Sequence, residues 1–357
     1  MGPETWTAIG GVLVGAGGVG AAIRTHRALR RTRRELTLTR KGHRQAAGPR
    51  LAIVVNPTKV DVEAFRQVTH AAADHHGYGE PTWWFTERSS PGTAQATAAV
   101  DAGATLVVAA GGDGTVRAVA GALTGTRVPL GIVPAGTGNL LARNLGIPLA
   151  GVPAAMRVAL DGRDRRVDVG RITAVSRRGG TVVEDEVFLV IAGLGFDAAM
   201  VSDTDPEWKA RVGWPAYFMS GMQNLKGPRL KATVAVDDFI RSLSARSIMI
   251  GNCGRLPAGL RLLPDARIDD GLVDLAMADV RAGLVGWASL ATQVGLQGLG
   301  VKNLPTFAMG RLVYDQGSRI HVVADGAPLL QIDGELIGEA SELSVRVAPR
   351  ALTVRVR

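Results

Sequence analysis

One stretch, Leu106 to Leu145, constrains this chain most: in it a strand, a glycine turn and a helix occur twice in succession. The apolar run Leu106–Ala110 is too short for a buried helix and suits an interior strand. Gly111, Gly112 and Gly114 follow in GGDGT and let the backbone approach whatever lies at the strand end. The run VRAVAGAL then has helical spacing, with Thr115 expected to cap it. Leu130–Val133 repeats the plan and leads through Pro134, Gly136, Thr137, Gly138 and Asn139 into the helix LLARNL. Two loops of this kind cluster backbone N–H groups and favour an anion, phosphate above all. A lone GGDGT could be a hairpin tip, but here a helical pattern follows it and the arrangement recurs. Other phosphate loops fit badly. G-x-x-x-x-G-K-[ST] is missing, and G-x-G-x-x-G fails because Arg117 holds its last place.

The flanking sequence extends the same alternation. Leu51–Val55 is a β-branched run ending at Asn56-Pro57. Asp61–His76 carries Val62, Phe65, Val68 and Ala72 at helical spacing. TWWFT at 82–86 reads as a strand and PGTAQATAAVDAG as a helix. The resulting β-α-β-α-β-α-β-α order predicts a parallel sheet with helices on both faces, whose ligand would sit outside the carboxyl ends of the strands. Those ends are Asn56, Thr86, Gly111–Thr115 and Gly136–Asn139. After Asp161 strand-like runs dominate: EVFLVIAG, KATVAVD, RSIMIGNCG, LVDLAMAD, RIHVVADG, PLLQIDGE, LSVRVAP and ALTVRVR. Turn pairs such as Asp237-Asp238, Asp270-Gly271 and Asp325-Gly326 separate several of them, which predicts an antiparallel sandwich or barrel-like domain. Glu207–Leu225 and Ala282–Gly298 read as helices. The expected architecture is an α/β nucleotide-binding domain over 49–148 with a parallel sheet, then a mainly antiparallel β second domain over 149–357 that takes the substrate.

Residues 1–48 stand apart. Thr7–Ile23 runs seventeen residues without a charge, and as a helix would span about 25 Å, a little short of a hydrocarbon core. Behind it, between Arg24 and Arg44, lie eight arginines and one lysine against Glu35. That collar holds most of the chain's net charge of +9. The body is therefore near neutral, and aromatics make up only 4% of the chain, so a nucleic-acid-binding surface is not expected. A cleaved signal peptide would carry its charges before the apolar run. A single span, a reversible surface anchor and a frayed tail remain. Membrane attachment is favoured, because anionic headgroups would attract the collar, and the positive-inside rule then puts the body at the cytoplasmic face. Gly11 and Gly15 form one G-x-x-x-G, a weak pointer to a homodimer. The single cysteine, Cys253, excludes an internal disulfide and reads as a small buried residue.

GGDGT followed by PAGTGN and LLARNLGIP resembles the diacylglycerol kinase catalytic-domain family, which includes bacterial lipid kinases and sphingosine kinases; the resemblance runs from Pro49 onward. GLGFDA at 193–198 and NCG…LLPDARIDDGLVDL at 252–275 belong to it too. The sequence departs from the family in reading NPTKV where many relatives have N-P-x-S-G, and Leu140 where many have an acid. The resemblance implies an ATP-dependent lipid kinase using Mg²⁺, with ATP lined by Asn56, Thr86, Gly111, Gly112, Asp113, Gly114, Thr115, Gly136, Thr137, Gly138 and Asn139. It also implies a structural Mg²⁺ on Asp270 and the carbonyls of Arg267 and Leu272, against the alternative of an ordinary turn. Asp113 either holds Mg²⁺ on the triphosphate or caps and orients its own loop. In Ile332-Asp333-Gly334-Glu335 the resemblance implies the catalytic base, Asp333 first and Glu335 second, although the pattern alone is that of a hairpin turn. The competing readings are an NAD kinase-like enzyme and a nucleotide-regulated membrane binding protein with a degenerate site.

Overall fold

Four short strands rich in β-branched and small residues form the first layer. They are β1 (Leu51–Val55), β2 (Thr82–Phe85), β3 (Leu106–Gly111) and β4 (Leu130–Pro134), all parallel, in the order β2-β1-β3-β4. The computed structural model describes residues 48–195, 229–255, 261–280 and 310–357. Side chains of β1 alternate between two cores, as the two-residue period requires. Leu51 and Ile53 pack with Phe65 and Met156, whereas Ala52 and Val54 pack with Ala96, Val119 and Leu123. Helices α1 (Val62–His75) and α5 (Val152–Asp161) thus cover one face, and α2 (Thr93–Asp101) and α3 (Asp113–Leu123) the other. Asp61 caps α1, its carboxylate accepting from the N–H groups of Glu63 and Ala64. Thr115 does not cap α3. The helix begins two residues earlier, Gly112 is its N-cap, and no side chain caps it.

The registers set the site. Val55 lies opposite Phe85 and Ala110, and Gly111 opposite Pro134, so the four carboxyl ends are flush. The ladder closes just beyond them, with N–H bonds from Asn56 to the Ala110 carbonyl, Thr86 to Val55 and Ala135 to Gly111, at 2.8–2.9 Å. Between β4 and α5 lies the short helix α4 (Leu140–Asn144).

The remaining described strands pair antiparallel with one another. β5 (Arg163–Val175), β6 (Thr181–Phe188), β8 (Leu230–Val236), β9 (Phe239–Ala245), β13 (Arg319–Ala324) and β16 (Glu342–Val356) extend the first sheet to ten strands. The junction is Val354 of β16, which lies parallel to Leu130 of β4. A second sheet has the order β12-β11-β10-β7-β14-β15, formed by Gly310–Gly317, Val273–Val280, Ser247–Gly251, Ile191–Leu194, Leu329–Ile332 and Glu335–Glu339. The inner faces of both sheets, including Ile172, Val234, Ile320 and Leu343 from one and Leu194, Ile250, Leu275 and Leu330 from the other, share one core. This is a sandwich, one of the two arrangements that the turn spacing leaves open.

Three details differ from the sequence reading. EVFLVIAG is two strands, β6 and β7, broken at Leu189-Val190. LSVRVAP and ALTVRVR are one strand, β16, bulged where Arg350 takes φ 50°. β5, β9 and β12 were not apparent from the pattern; β5 opens with the charged run Arg163-Asp164-Arg165-Arg166 and buries side chains only from Val167 onward. The apolar segment 7–23, the basic collar, the helices expected at 207–225 and 282–298 and the end of GLGFDA lie outside the described residues. Among the described residues no helix is long and apolar enough to cross a membrane.

Candidate functional site

The two glycine loops press against each other. A Cβ on Gly136 would lie 2.7 Å from the Gly112 Cα, and one on Gly138 would lie 2.7 Å from Asp113 Oδ2. Asp113 bridges them, its carboxylate accepting from the N–H of Asn139 at 2.8 Å and of Leu140 at 2.6 Å. These are orphan donors at the start of α4, which lacks a side-chain cap of its own. Asp113 therefore caps the neighbouring helix rather than its own loop. Burial raises its pKa above the ordinary carboxylate range, the two N–H groups work against that rise, and the charge of Asp333 adds to it. Asn139, left-handed at φ 48°, closes the second loop with both ends of its amide: Oδ1 accepts from Gly136 N–H at 2.9 Å and Nδ2 donates to Gly136 O at 2.7 Å. Arg143 Nε adds a 2.7 Å bond to Gly138 O.

This bracing leaves donors over. The N–H groups of Gly112, Thr137 and Gly138 reach no acceptor among the described residues. Those of Gly114 and Thr115 precede the first turn-closing bond of α3, from Val116 N–H to Gly112 O at 3.0 Å. Gly114 faces space in which a Cβ would meet nothing within 4 Å. The cradle can thus take an anion at the positive end of α3. At the neighbouring strand ends, Asn56 Oδ1 is occupied by Thr58, whose N–H and hydroxyl donate to it at 3.0 and 2.8 Å, while Thr86 is buried.

Asp333 and Gly334 join β14 to β15 with φ 48° and 85°, as a two-residue I′ turn requires, and Ile332 pairs with Glu335. The hairpin reading is thus correct for the backbone. The side chain does something a turn aspartate ordinarily does not: it is only 8% exposed. Its Oδ2 accepts from Leu189 N–H, and its Oδ1 from Val190 and Ile191 N–H, each at 2.9 Å. The break between β6 and β7 is what frees those donors. Burial pushes the Asp333 pKa up, opposed by the three N–H groups and by the Arg117 charge. Glu335, on the other flank, is exposed and ion-paired with Arg117.

Arg117 is the residue the sequence reading did not assign. It sits on α3, yet Nη1 donates to Ile332 O at 3.3 Å and Nη2 to the Glu335 carboxylate. Its only sequence signal was its place where a dinucleotide fingerprint would have glycine.

At the other turn, Asp270 uses Oδ1 on the N–H of Leu272 at 3.1 Å. The fully buried Asp168 braces the turn, accepting from Gly271 N–H and Arg350 N–H, each at 2.6 Å. Beside it Asp274 is buried with Oδ2 unpartnered among the described residues. Its pKa rises to about 6, through burial first and then the charges of Asp270 and Asp265, against the Gln316 hydrogen bond. A cation at this turn would screen that crowding, so the donor set fits one. Among the described residues, however, no three His, Cys, Asp or Glu side chains are grouped to hold a metal by themselves. Arg267 and Leu272 could add only main-chain carbonyls. Cys253 is buried and its thiol pKa is pushed up by burial, in line with a packing role.

Residues 50–172 match the family model of the diacylglycerol kinase catalytic domain, and 190–356 that of the YegS C-terminal NAD kinase beta sandwich-like domain. A Pseudomonas aeruginosa protein named "Probable lipid kinase YegS-like" is 33% identical over 261 residues, 72% of this chain and 78% of that one. A Bacillus subtilis diacylglycerol kinase is 29% identical, over 65% and 72% of the two chains. An uncharacterized Synechocystis protein is 30% identical over 71% of this chain, which spans only 55% of that relative's length. The fold is similar to that of a Bacillus anthracis diacylglycerol kinase crystal structure, with TM-score 0.66 and 20% identity over 86% of this chain and 97% of that one.

Proposed function

Since the chain belongs to the diacylglycerol kinase catalytic-domain family, a family of lipid kinases, we propose that it transfers the γ-phosphoryl group of ATP to a hydroxyl of diacylglycerol or a related membrane lipid. The observation that carries this reading is the pairing of two features. One is a glycine cradle with unused N–H donors. The other is a buried carboxylate whose turn is tied to the helix rising from that cradle.

Phosphoryl transfer asks for positioning and charge neutralisation more than for covalent chemistry. The N–H groups of Gly112, Gly114, Thr115, Thr137 and Gly138 receive phosphate oxygens, and the α3 dipole favours them there. The close-packed loops, pinned by Asp113 and Asn139, present these donors without rearrangement. Asn56 and Thr86 border the same strand ends. Asp333 accepts the proton of the lipid hydroxyl, while Glu335 is engaged by Arg117. Its desolvated carboxylate, with a pKa raised by burial, is a better base than a solvated aspartate. A bound Mg²⁺ would supply charge neutralisation at the phosphates and would stiffen the Asp270 turn. Asp270 with the carbonyls of Arg267 and Leu272 would hold it at that turn, whereas both oxygens of Asp113 already accept from the Asn139 and Leu140 N–H groups and brace the loops. Residues 7–23 and the basic collar bring the body to an anionic membrane, at its cytoplasmic face.

The test is incubation with labelled ATP and a fractionated lipid extract. Label is expected in one lipid class. Label in NAD rather than lipid, or ATP binding with no transfer, would replace this reading.

A further inference from the structure

Arg117 leaves its own helix to hold a turn more than two hundred positions away in sequence, and its two contacts bracket Asp333-Gly334: Ile332 O on one side and Glu335 on the other. Among the described residues no other hydrogen bond or ion pair joins the β14–β15 hairpin to α3. We infer that Arg117 is a positioning residue, a strap that fixes the turn bearing Asp333 against the helix of the first glycine loop, and that Glu335 is the strap's anchor rather than a second base. The inference rests on the lipid-kinase reading and deepens it.

Three observations support it. The I′ turn closes through its own backbone and needs nothing from Arg117 to form. Glu335 is 61% exposed, and so exposed an ion pair adds little stability, which leaves geometry as its contribution. Arg117 itself is only 12% exposed, and its planar fork can meet a carbonyl and a carboxylate together in a way that a lysine ammonium matches only in part. The backbone donors of Leu189–Ile191 orient the Asp333 carboxylate from the sandwich side. Arg117 sets the distance from that carboxylate to the phosphate cradle. A base displaced by about 1 Å loses on the order of 10²-fold in rate.

The charged and titratable groups facing Asp333 are Asp113 and Arg117 from α3, Cys253 from the loop after β10, and Glu335 on its own turn. Of these Arg117 alone is a cation, and its charge lowers the Asp333 pKa.

The test uses the whole chain with Mg·ATP, on diacylglycerol in detergent micelles or on the lipid class that takes label from the extract. Arg117→Met is expected to lower kcat roughly 10- to 100-fold with the KM for ATP within about 3-fold, because the phosphate donors are untouched. The acid limb of its kcat–pH profile should move to higher pH. Arg117→Lys should recover part of kcat and return the limb toward the wild type. Glu335→Gln, which keeps an acceptor for the guanidinium, should stay within about 5-fold of wild-type kcat, whereas removal of a base costs about 10²-fold or more. Thermal unfolding of each variant identifies one that fails to fold, and Arg117→Lys then carries the comparison. Unchanged kcat in the Arg117 variants, or a loss confined to the KM for ATP with the acid limb in place, overturns the strap. A Glu335→Gln loss as large as that of Asp333→Asn overturns the anchor assignment. Wild-type protein that phosphorylates no lipid overturns the kinase reading, and this inference with it.

Discussion

Gly136→Ala and Gly114→Ala separate the two jobs that glycine performs in the loops. At Gly136 an added Cβ would sit 2.7 Å from the Gly112 Cα and 3.0 Å from Asn139 Oδ1. Carbon atoms prefer about 3.5–4.0 Å, so the loops must part by roughly 0.8 Å or more, and backbone cannot swing aside as a flexible side chain would. Such a separation also pulls at the bonds from Asn139 and Leu140 to Asp113. Overpacking of this kind costs about 1–3 kcal/mol, a fall in Tm of roughly 2–8 °C for a body of this size. Gly114 is the opposite case, since a Cβ there meets nothing within 4 Å. Alanine in the first turn of α3 should leave Tm unchanged or raise it, because alanine favours helix over glycine. It should nevertheless crowd the space beside the unused N–H groups. Losing one charge-assisted bond to phosphate, about 1.5–3 kcal/mol, weakens ATP binding roughly 10- to 100-fold. Calorimetric unfolding and titration with Mg·ATP read the two effects separately. Wild-type ATP affinity in Gly114→Ala would refute the phosphate cradle, and an unchanged Tm in Gly136→Ala would refute the tight apposition of the loops.

Asp333→Asn should reduce turnover by about 10²-fold or more while ATP still binds, and near-normal turnover would return the turn to plain structure. It should also lower Tm, because an amide cannot accept from all three N–H groups of Leu189–Ile191 as the carboxylate does. Removal of residues 1–48 should release the protein from anionic vesicles and preserve turnover on detergent-dispersed lipid; sedimentation of the shortened form with membranes in high salt would show that the body binds lipid by itself. Mg²⁺ should raise the Tm of the wild type, and Asp270→Ala should abolish that rise. An equal rise in both would place the ion elsewhere.

The parallel half was legible because its signals are local. Leu51–Val55, Leu106–Ala110 and Leu130–Val133 are short apolar runs punctuated by glycine or proline, and a flush set of strand ends follows from alternation with helices. Asp333-Gly334 was legible as a turn for the same reason. What makes it more than a turn was not. The donors to Asp333 are backbone groups, which leave no trace in side-chain pattern, and they are available only because EVFLVIAG breaks where its apolar run gives no hint of a break. Asp113 shows the same limit. Its acidity suggested a metal or a cap for its own loop, whereas its partners are the N–H groups of another loop, a relation fixed by the packing of glycine on glycine. Arg117 shows in the sequence only as the residue that breaks a dinucleotide fingerprint, and its role depends on a hairpin more than two hundred positions away.

The seam between β4 and β16 bears on how this protein is made. During synthesis β1 to β4 emerge together, with one flank of β4 displaying unpaired N–H and C=O groups beside the apolar Leu130 and Ile132. Val354, the partner across that seam, leaves the ribosome last among the described elements. Until then the parallel half has an open sheet edge, the kind that recruits strands from other nascent chains. Pairings so distant in sequence also close slowly. Ribosome stalling or proteolysis shortly before Leu352 should therefore yield an aggregation-prone fragment that chaperones retain, not a small soluble nucleotide binder.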